Sequence, residues 1–348
     1  MSHDEVRSIN LALQGGGSHG AFTWGVLDRL LEDGRVSFDG ISATSAGAMN
    51  AVVYAYGKMR GGPDGARQAL HDFWQRISRS AAPYSPLATT PVEKMFGVPA
   101  EQSWAYTTFE SLTRSFSPYQ LNPLNVNPLR DVLAASVDFD ELKACKSSKL
   151  FLSATNIRTG NVRVFNTSEI TINAVLASAC LPFLFQAIEI DGAFYWDGGY
   201  MGNPSLFPLF YDTDSRDVVV VHINPIFCAD IPKSAAEIAD RVNEITFNSA
   251  LLKEFRAVAF VTKLLEDGWI KDEFRSKLRH VLVHSIRADD ALNTLGAASK
   301  VNCDWRFLTD LRDRGRATAE QWLAENFIHL GKRATVNLVS EYLHPERQ

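Results

Sequence analysis

Apolar and polar positions along this chain switch between two periods, and the switching divides it into strands followed by helices. Ser8 to Gln14 (S-I-N-L-A-L-Q) is a short β-prone run ending in three glycines. From Ala21 to Glu32, Phe22, Val26, Leu27, Leu30 and Leu31 recur at helical spacing, and Gly34 supplies a C-terminal stop. A second strand, roughly Phe38 to Ala43, runs into Thr44-Ser45-Ala46-Gly47. Ala46 to Tyr56, rich in Ala and Val and ending near Gly57, predicts a buried helix. Two strand–turn–helix units so early in the chain predict an α/β fold with a central, mostly parallel sheet.

Further along, Lys149 to Asn156 and Val162 to Asn166 read as neighbouring strands, and Asn173 to Cys180 as a short helix that Pro182 terminates. Ile188 to Trp196 reads as a hairpin turning at Asp191-Gly192. Asp217 to Ile223 is a continuous apolar run of the kind found in central parallel strands. Helical patterns cover Ser234 to Asp267 and Trp305 to Phe327, with one more strand, His280 to Ile286, between them.

The stretch from Ser80 to Pro128 fits neither period. Half of the chain's 14 prolines lie in it (Pro83, Pro86, Pro91, Pro99, Pro118, Pro123, Pro128), among Tyr84, Phe96, Trp104, Tyr106, Phe109, Phe116 and Tyr119. Prolines at that density break regular elements, while aromatics need a surface to pack on. A cap with short helices bordering an apolar cleft fits residues 80–130, and an irregular insertion without a functional role fits equally well.

Composition narrows the class. At 348 residues, 46% hydrophobic and 22% charged, the chain suits an ordinary globular protein with one large core or two modest ones. A formal charge of -5 offers no broad basic field, so nucleic acid is not an expected partner. Cys145, Cys180, Cys228 and Cys303 are too scattered for a zinc site, and Cys180 and Cys228 sit in apolar surroundings that predict buried structural thiols. No Asp-rich calcium loop is present, and no metal or cofactor is expected. Met1 to Ile9 is polar, with Asp4 and Glu5, unlike a secretory signal, and no apolar run approaches roughly 20 residues. A cytoplasmic protein that visits membrane surfaces is the default. In the C-terminal part, Asp310, Arg312, Asp313 and Arg314 read as a solvated helix face, and Phe255, Val258, Phe260 and Leu264 as core.

Candidate chemistry starts at Gly15-Gly16-Gly17-Ser18-His19-Gly20, between the first strand and its helix. Gly15, Gly17 and Gly20 match the dinucleotide fingerprint, and Asp39 lies about 20 residues on, where a ribose-binding acid belongs. The same glycines could equally point backbone N–H groups at the oxyanion of a tetrahedral intermediate. The second unit favours the latter. Asp39 stands at the leading end of its strand, whereas a ribose acid belongs at the C-terminal end. The residue at that end is Ser45, on a sharp strand-to-helix turn with small neighbours, as in a nucleophile elbow. The bland reading of Ser45 is a helix N-cap. A serine nucleophile needs a base, and Asp197-Gly198-Gly199 places a carboxylate directly after Phe194-Tyr195-Trp196. Its bland reading is a surface turn.

In this order, the Gly15–Gly20 motif, the Ser45 elbow and Asp197-Gly198-Gly199 resemble the three motifs of patatin-like phospholipases. Ala177-Ser178-Ala179-Cys180-Leu181-Pro182 is similar to the small-residue helix ahead of that family's aspartate. The resemblance implies a three-layer α/β acyl hydrolase domain over residues 11–210, with residues 211–348 forming further strands and helices on the same core. It also implies a Ser45–Asp197 dyad acting on acyl lipids, an oxyanion hole at Gly15, Gly16 and Gly17, and supporting roles for Gly20, Gly47, Gly198 and Gly199. The expected partners are an acyl lipid and, transiently, a membrane surface. Two positions depart from the pattern: Ala43 replaces the elbow's first glycine, and His19 stands where the family carries Arg or Lys. A structural role is expected for His19.

Three other readings stay open on sequence alone. Ser45, Asp197 and then His222 or His284 follow the chain order of an α/β-hydrolase triad. A dinucleotide-binding oxidoreductase is the second, and a catalytically silent lipid-binding or scaffold protein is the third.

Overall fold

The computed structural model describes residues 6–81, 87, 103–146, 148–228, 231–275, 278–288, 292 and 295–344. Its eight strands are β1 Arg7–Leu13, β2 Val36–Ala43, β3 Lys149–Asn156, β4 Val162–Asn166, β5 Ile188–Ile190, β6 Ala193–Asp197, β7 Asp217–Val221 and β8 Leu282–Ile286. The helices of seven or more residues are α1 Gly20–Asp33, α2 Ala46–Ala81, α3 Trp104–Ser115, α4 Pro128–Ala134, α5 Ile172–Ser178, α6 Ala235–Glu266 and α7 Trp305–Asn326.

All strands among the described residues share one sheet, in the order β5-β6-β3-β2-β1-β7-β8, with β4 paired to β3 off this path. The run β3-β2-β1-β7-β8 is parallel throughout, and the partners of β4, β5 and β6 are antiparallel to them. Strand periodicity of two sorts side chains onto opposite faces. Leu11, Leu13, Val219 and Val221 join one buried cluster with Phe22 and Leu27 of α1, Val52 of α2 and Leu308 of α7. Ala12, Val218 and Val220 join a second cluster with Leu251 and Phe255 of α6 and Tyr342. The sheet is therefore the middle of three layers, and β7 is apolar on both sides because both sides are covered. Each such aliphatic side chain contributes roughly 1.5–3 kcal/mol on burial.

Several boundaries differ from the sequence reading. The second helix passes Gly57 and continues to Ala81, broken at Gly61-Gly62, with Pro63 opening its second half. Gly57 is a packing position, where a Cβ would fall 2.7 Å from that of Ala69. β2 begins at Val36, so Asp39 lies within it, and its carboxylate accepts the N–H groups of Asp214 and Ser215 at 2.6 and 3.0 Å. In the 80–130 region, Tyr84 and Phe96 fall outside the described residues. Trp104, Phe116 and Tyr119 are exposed. Cys180 is buried as expected, but Cys228 is exposed. Phe255 and Val258 are core, whereas Phe260 is exposed. None of the described helices is long and apolar enough to cross a membrane.

Candidate active site

One edge of β3 accounts for the site. Leu152 pairs with both Ala43 of β2 and Phe165 of β4, so those strands lie on opposite edges of β3. Ala154 pairs with both Arg163 of β4 and Asp197 of β6, so β6 also lies opposite β4. β2 and β6 thus share an edge, one parallel to β3 and the other antiparallel, and they approach head-on. Their C-terminal residues, Ala43 and Asp197, sit across from Leu152 and Ala154, roughly 7 Å apart along the edge strand. Ser45 and Asp197 emerge from these two facing ends.

Ser45 is buried and held at φ 55, a conformation rare for a side chain-bearing residue. The turn is held from several sides. Its N–H donates to Ser178 Oγ at 2.9 Å, Thr44 N–H donates to Leu13 O at 3.2 Å, and Thr44 Oγ1 donates to Gly202 O at 2.6 Å. Gly47, in the first turn of α2, faces the Leu13 and Gln14 carbonyls so closely that no Cβ fits, which lets the helix leave directly over β1. The alanine at 43 is fully buried and fits within the strand.

Asp197 is completely buried. Its N–H donates to Cys180 O at 2.8 Å and its carbonyl accepts the Thr155 hydroxyl at 2.8 Å, so the backbone is tied on both sides. Oδ1 accepts Gly199 N–H at 2.7 Å, while Oδ2 has no hydrogen-bond partner. Burial pushes this carboxyl up to about 7, and the Gly199 N–H and the Ser45 hydroxyl pull it back only in part. No hydrogen bond is closed between the two side chains in this conformation, although the serine is near enough to act on the carboxyl. Gly198, beside Asp197, faces Thr44, where a Cβ would fall 3.0 Å from Cγ2.

Gly15, Gly16 and Gly17 run past the elbow. A Cβ on Gly15 would lie 2.5 Å from that of Ser45. The Gly15 N–H donates to Asn203 Oδ1 at 2.7 Å, and its carbonyl accepts Asn224 Nδ2 at 2.6 Å. These bonds tie the loop down, and no acceptor for the Gly16 or Gly17 N–H stands among the described residues. Gly20 opens α1 against Ala46 and Trp74. His19 is buried, bonds Ser299 Oγ through Nε2 at 2.6 Å, and is pushed down to about 3 chiefly by burial, so it is neutral.

Behind the loop lies an amide network that carries no linear motif. Gln14 Oε1 accepts the N–H groups of Ile223 and Asn224 at 3.0 and 3.1 Å, and Gln14 Nε2 donates to Asn248 Oδ1 at 3.2 Å. Asn203, Asn224 and Ser178 were not singled out from sequence. Ser178 lies in the small-residue segment noted above, but its partner is 133 positions away.

The two histidines that a triad would need are engaged elsewhere. His222 Nε2 contacts Ser285 Oγ at 3.2 Å and Tyr342 Oη at 3.3 Å. His284 bonds Asp217 at 3.0 Å and Thr335 at 2.9 Å. Neither makes a hydrogen bond to Ser45 or Asp197.

Among solved structures, VipD from Legionella pneumophila is 14% identical, over 89% of this chain and 67% of its own, with a TM-score of 0.33. The heterodimeric ExoU–SpcU complex from the type III secretion system of Pseudomonas aeruginosa gives 15% identity over 92% and 78%, with a TM-score of 0.32. Likenesses this slight carry no argument about function. A search of curated proteins gives no significant match. The family model described as patatin-like phospholipase matches residues 11–210, the span that holds the end of β1, β2 to β6, the elbow, the glycine loop and Asp197. The chain belongs to the patatin-like phospholipase family, whose members are lipid-ester hydrolases.

Proposed function

We propose that this protein hydrolyses carboxylic esters of phospholipids or related acyl lipids through a Ser45–Asp197 dyad and an acyl-enzyme intermediate. The observation that carries the proposal is the head-on meeting of β2 and β6 on one edge of β3, which delivers a strained serine and a buried carboxyl to one place. In the first half-reaction Ser45 Oγ attacks the ester carbonyl carbon and its proton passes to Asp197 Oδ2, the oxygen left without a partner. The tetrahedral oxyanion is held by the N–H groups of Gly16 and Gly17. Its collapse breaks the carbon–oxygen bond, and the alcohol leaves with the proton from Asp197. A water molecule then repeats the attack on the acyl-serine, losing its proton to Asp197, and collapse of that second intermediate breaks the bond to Oγ, which takes the proton back from Asp197 as the fatty acid leaves.

Magnitudes favour this division of labour. An ordinary aspartate is a poor base, but a carboxyl near 7 suits proton transfer close to neutrality. The remaining barrier falls to the oxyanion donors, each typically worth roughly 3–4 kcal/mol. Ser45→Ala tests the reading directly, with released fatty acid measured over a panel of purified lipids. The expected result is loss of hydrolysis at unchanged fold, and undiminished turnover would falsify the dyad.

A further inference from the structure

Lys300 lies far outside the family-matched span, in the short segment Ala297–Val301 that packs on the glycine loop. Its carbonyl sits against Gly17 Cα, closely enough to leave no room for a Cβ there, and the residue is half-buried beside the loop. Nζ donates to Asn224 Oδ1 at 3.1 Å. The same carboxamide donates from Nδ2 to the Gly15 carbonyl at 2.6 Å. That carbonyl belongs to the peptide unit whose other end is the Gly16 N–H, so three groups stand in series: ammonium, carboxamide, peptide.

We infer that Lys300 is a positioning residue for ester hydrolysis, which polarises the Gly15–Gly16 peptide through Asn224 and so strengthens the Gly16 N–H as an oxyanion donor. The inference rests on the dyad reading above. Its physical basis is cooperative polarisation. A cation bonded to the amide oxygen draws charge from the Nδ2–H bonds, which then pull harder on the Gly15 oxygen and leave the Gly16 hydrogen more positive. The ammonium stands behind the loop, on the carbonyl side of the Gly15–Gly16 peptide, so it acts on the Gly16 N–H through that series. Glu244 and Asp240 of α6 act electrostatically on Lys300, which in turn acts on the neutral His19. Burial alone pulls the ammonium below its ordinary range, and the two carboxylates oppose that and favour its charge. A residue acting this way matters most in the transition state, so its removal lowers kcat and spares KM.

The test uses the full chain and a water-soluble p-nitrophenyl ester. Losing a complete oxyanion donor costs roughly 100- to 1,000-fold, and weakening one costs less. Lys300→Met is therefore expected to lower kcat about ten-fold with KM within about two-fold, and Lys300→Arg to recover most of the loss. Asn224→Ala should lower kcat similarly, and adding it to Lys300→Met should cost little more, because both changes break one series. Affinity for an alkyl trifluoromethyl ketone, whose adduct places an oxyanion in the same hole, should fall in parallel with kcat/KM. Unchanged kcat in Lys300→Met, a loss confined to KM, or fully additive effects of the two changes would overturn the inference. Should Lys300→Met fail to fold, Asn224→Ala decides alone, and wild-type kcat there overturns it. Ser45→Ala separates the two claims: turnover surviving in that variant removes the dyad, whereas an inactive Ser45→Ala beside a fully active Lys300→Met removes only the role of Lys300.

Discussion

Ser178 Oγ accepts the backbone N–H of Ser45 at 2.9 Å, joining the end of α5 to the turn between β2 and α2. The next turn of the same segment ends at Cys180, whose carbonyl takes the Asp197 N–H at 2.8 Å. One short stretch of small residues therefore ties down the backbones of both proposed catalytic residues.

Removing that anchor should be felt in both stability and rate. Ser178→Ala leaves a buried N–H unpaired, which costs roughly 1–3 kcal/mol, and releases an elbow held at unfavourable φ. Urea denaturation should show the stability loss, and kcat should fall about ten-fold. Unchanged kcat would mean that the turn between β2 and α2 holds Ser45 unaided.

Asp197→Asn should separate stability from activity. A carboxyl raised to about 7 in the folded state and near 3.8 in the unfolded chain binds more protons when folded, so its ionisation opposes folding between those values. Stability is lost as pH rises from about 4 through about 7, and the cost persists above that. Asparagine keeps an acceptor for Gly199 N–H without the charge. The variant should be inactive, yet more stable than wild type at pH 8 by about 1–3 kcal/mol. A lower melting temperature at that pH would contradict the assignment.

Rate should move with pH in the opposite sense. Asp197 accepts a proton only when ionised, so kcat/KM should rise through an apparent pKa of about 7. Glu254, pushed by burial to about 7 while accepting the N–H groups of Leu206 and Phe207, titrates in the same range. Glu254→Gln distinguishes them: the acid limb of the rate profile should stay in place, and part of the pH dependence of stability should disappear. Movement of the limb would assign it to Glu254.

Gly15→Ala places a methyl 2.5 Å from Ser45 Cβ and 2.9 Å from Thr44 O, a collision the elbow or the loop must yield to. Overpacking of this kind costs roughly 1–3 kcal/mol, and displacement of the oxyanion donors should cut kcat at least 100-fold. Gly61→Ala is the control, since its Cβ meets nothing within 4 Å and its φ of -147 suits any residue. Kinetics and melting temperature on the pair should show an effect only at Gly15.

The histidines test the competing triad. His222→Gln and His284→Gln should keep kcat within a few-fold at permissive temperature, while losing stability through their broken hydrogen bonds to Ser285, Tyr342, Asp217 and Thr335. Loss of turnover in one variant, with its fold intact, would restore the triad.

Much of this molecule was legible in its one-dimensional pattern. Local rules sufficed for β3 and for the Ile188–Trp196 hairpin, whose Asp191 and Gly192 both have positive φ as an Asp-Gly turn requires. They also sufficed for the α1 stop at the left-handed Gly34, and for β7, apolar because both its faces are covered. The candidate nucleophile, base and glycine loop were likewise readable, since each depends on residues adjacent in sequence. Boundaries set by tertiary packing were less so: Gly57 looked like an end because the chain's local preferences could not reveal Ala69 waiting across the helix break.

What only the folded chain decided is how those local pieces meet. That β2 and β6 face each other along one edge of β3 depends on strand order and register, which are set by the whole sheet. That the Gly15 N–H and carbonyl are bonded within the protein depends on Asn203 and Asn224, about 190 and 210 positions away. Buried amides of this kind leave no periodic trace, because one hydrogen bond needs one residue on each side and no repeat. Hydrophobic burial acts along whole faces and so writes a pattern into the sequence. Polar satisfaction acts between single atoms, and becomes visible only when the fold brings them within 3 Å or so of each other.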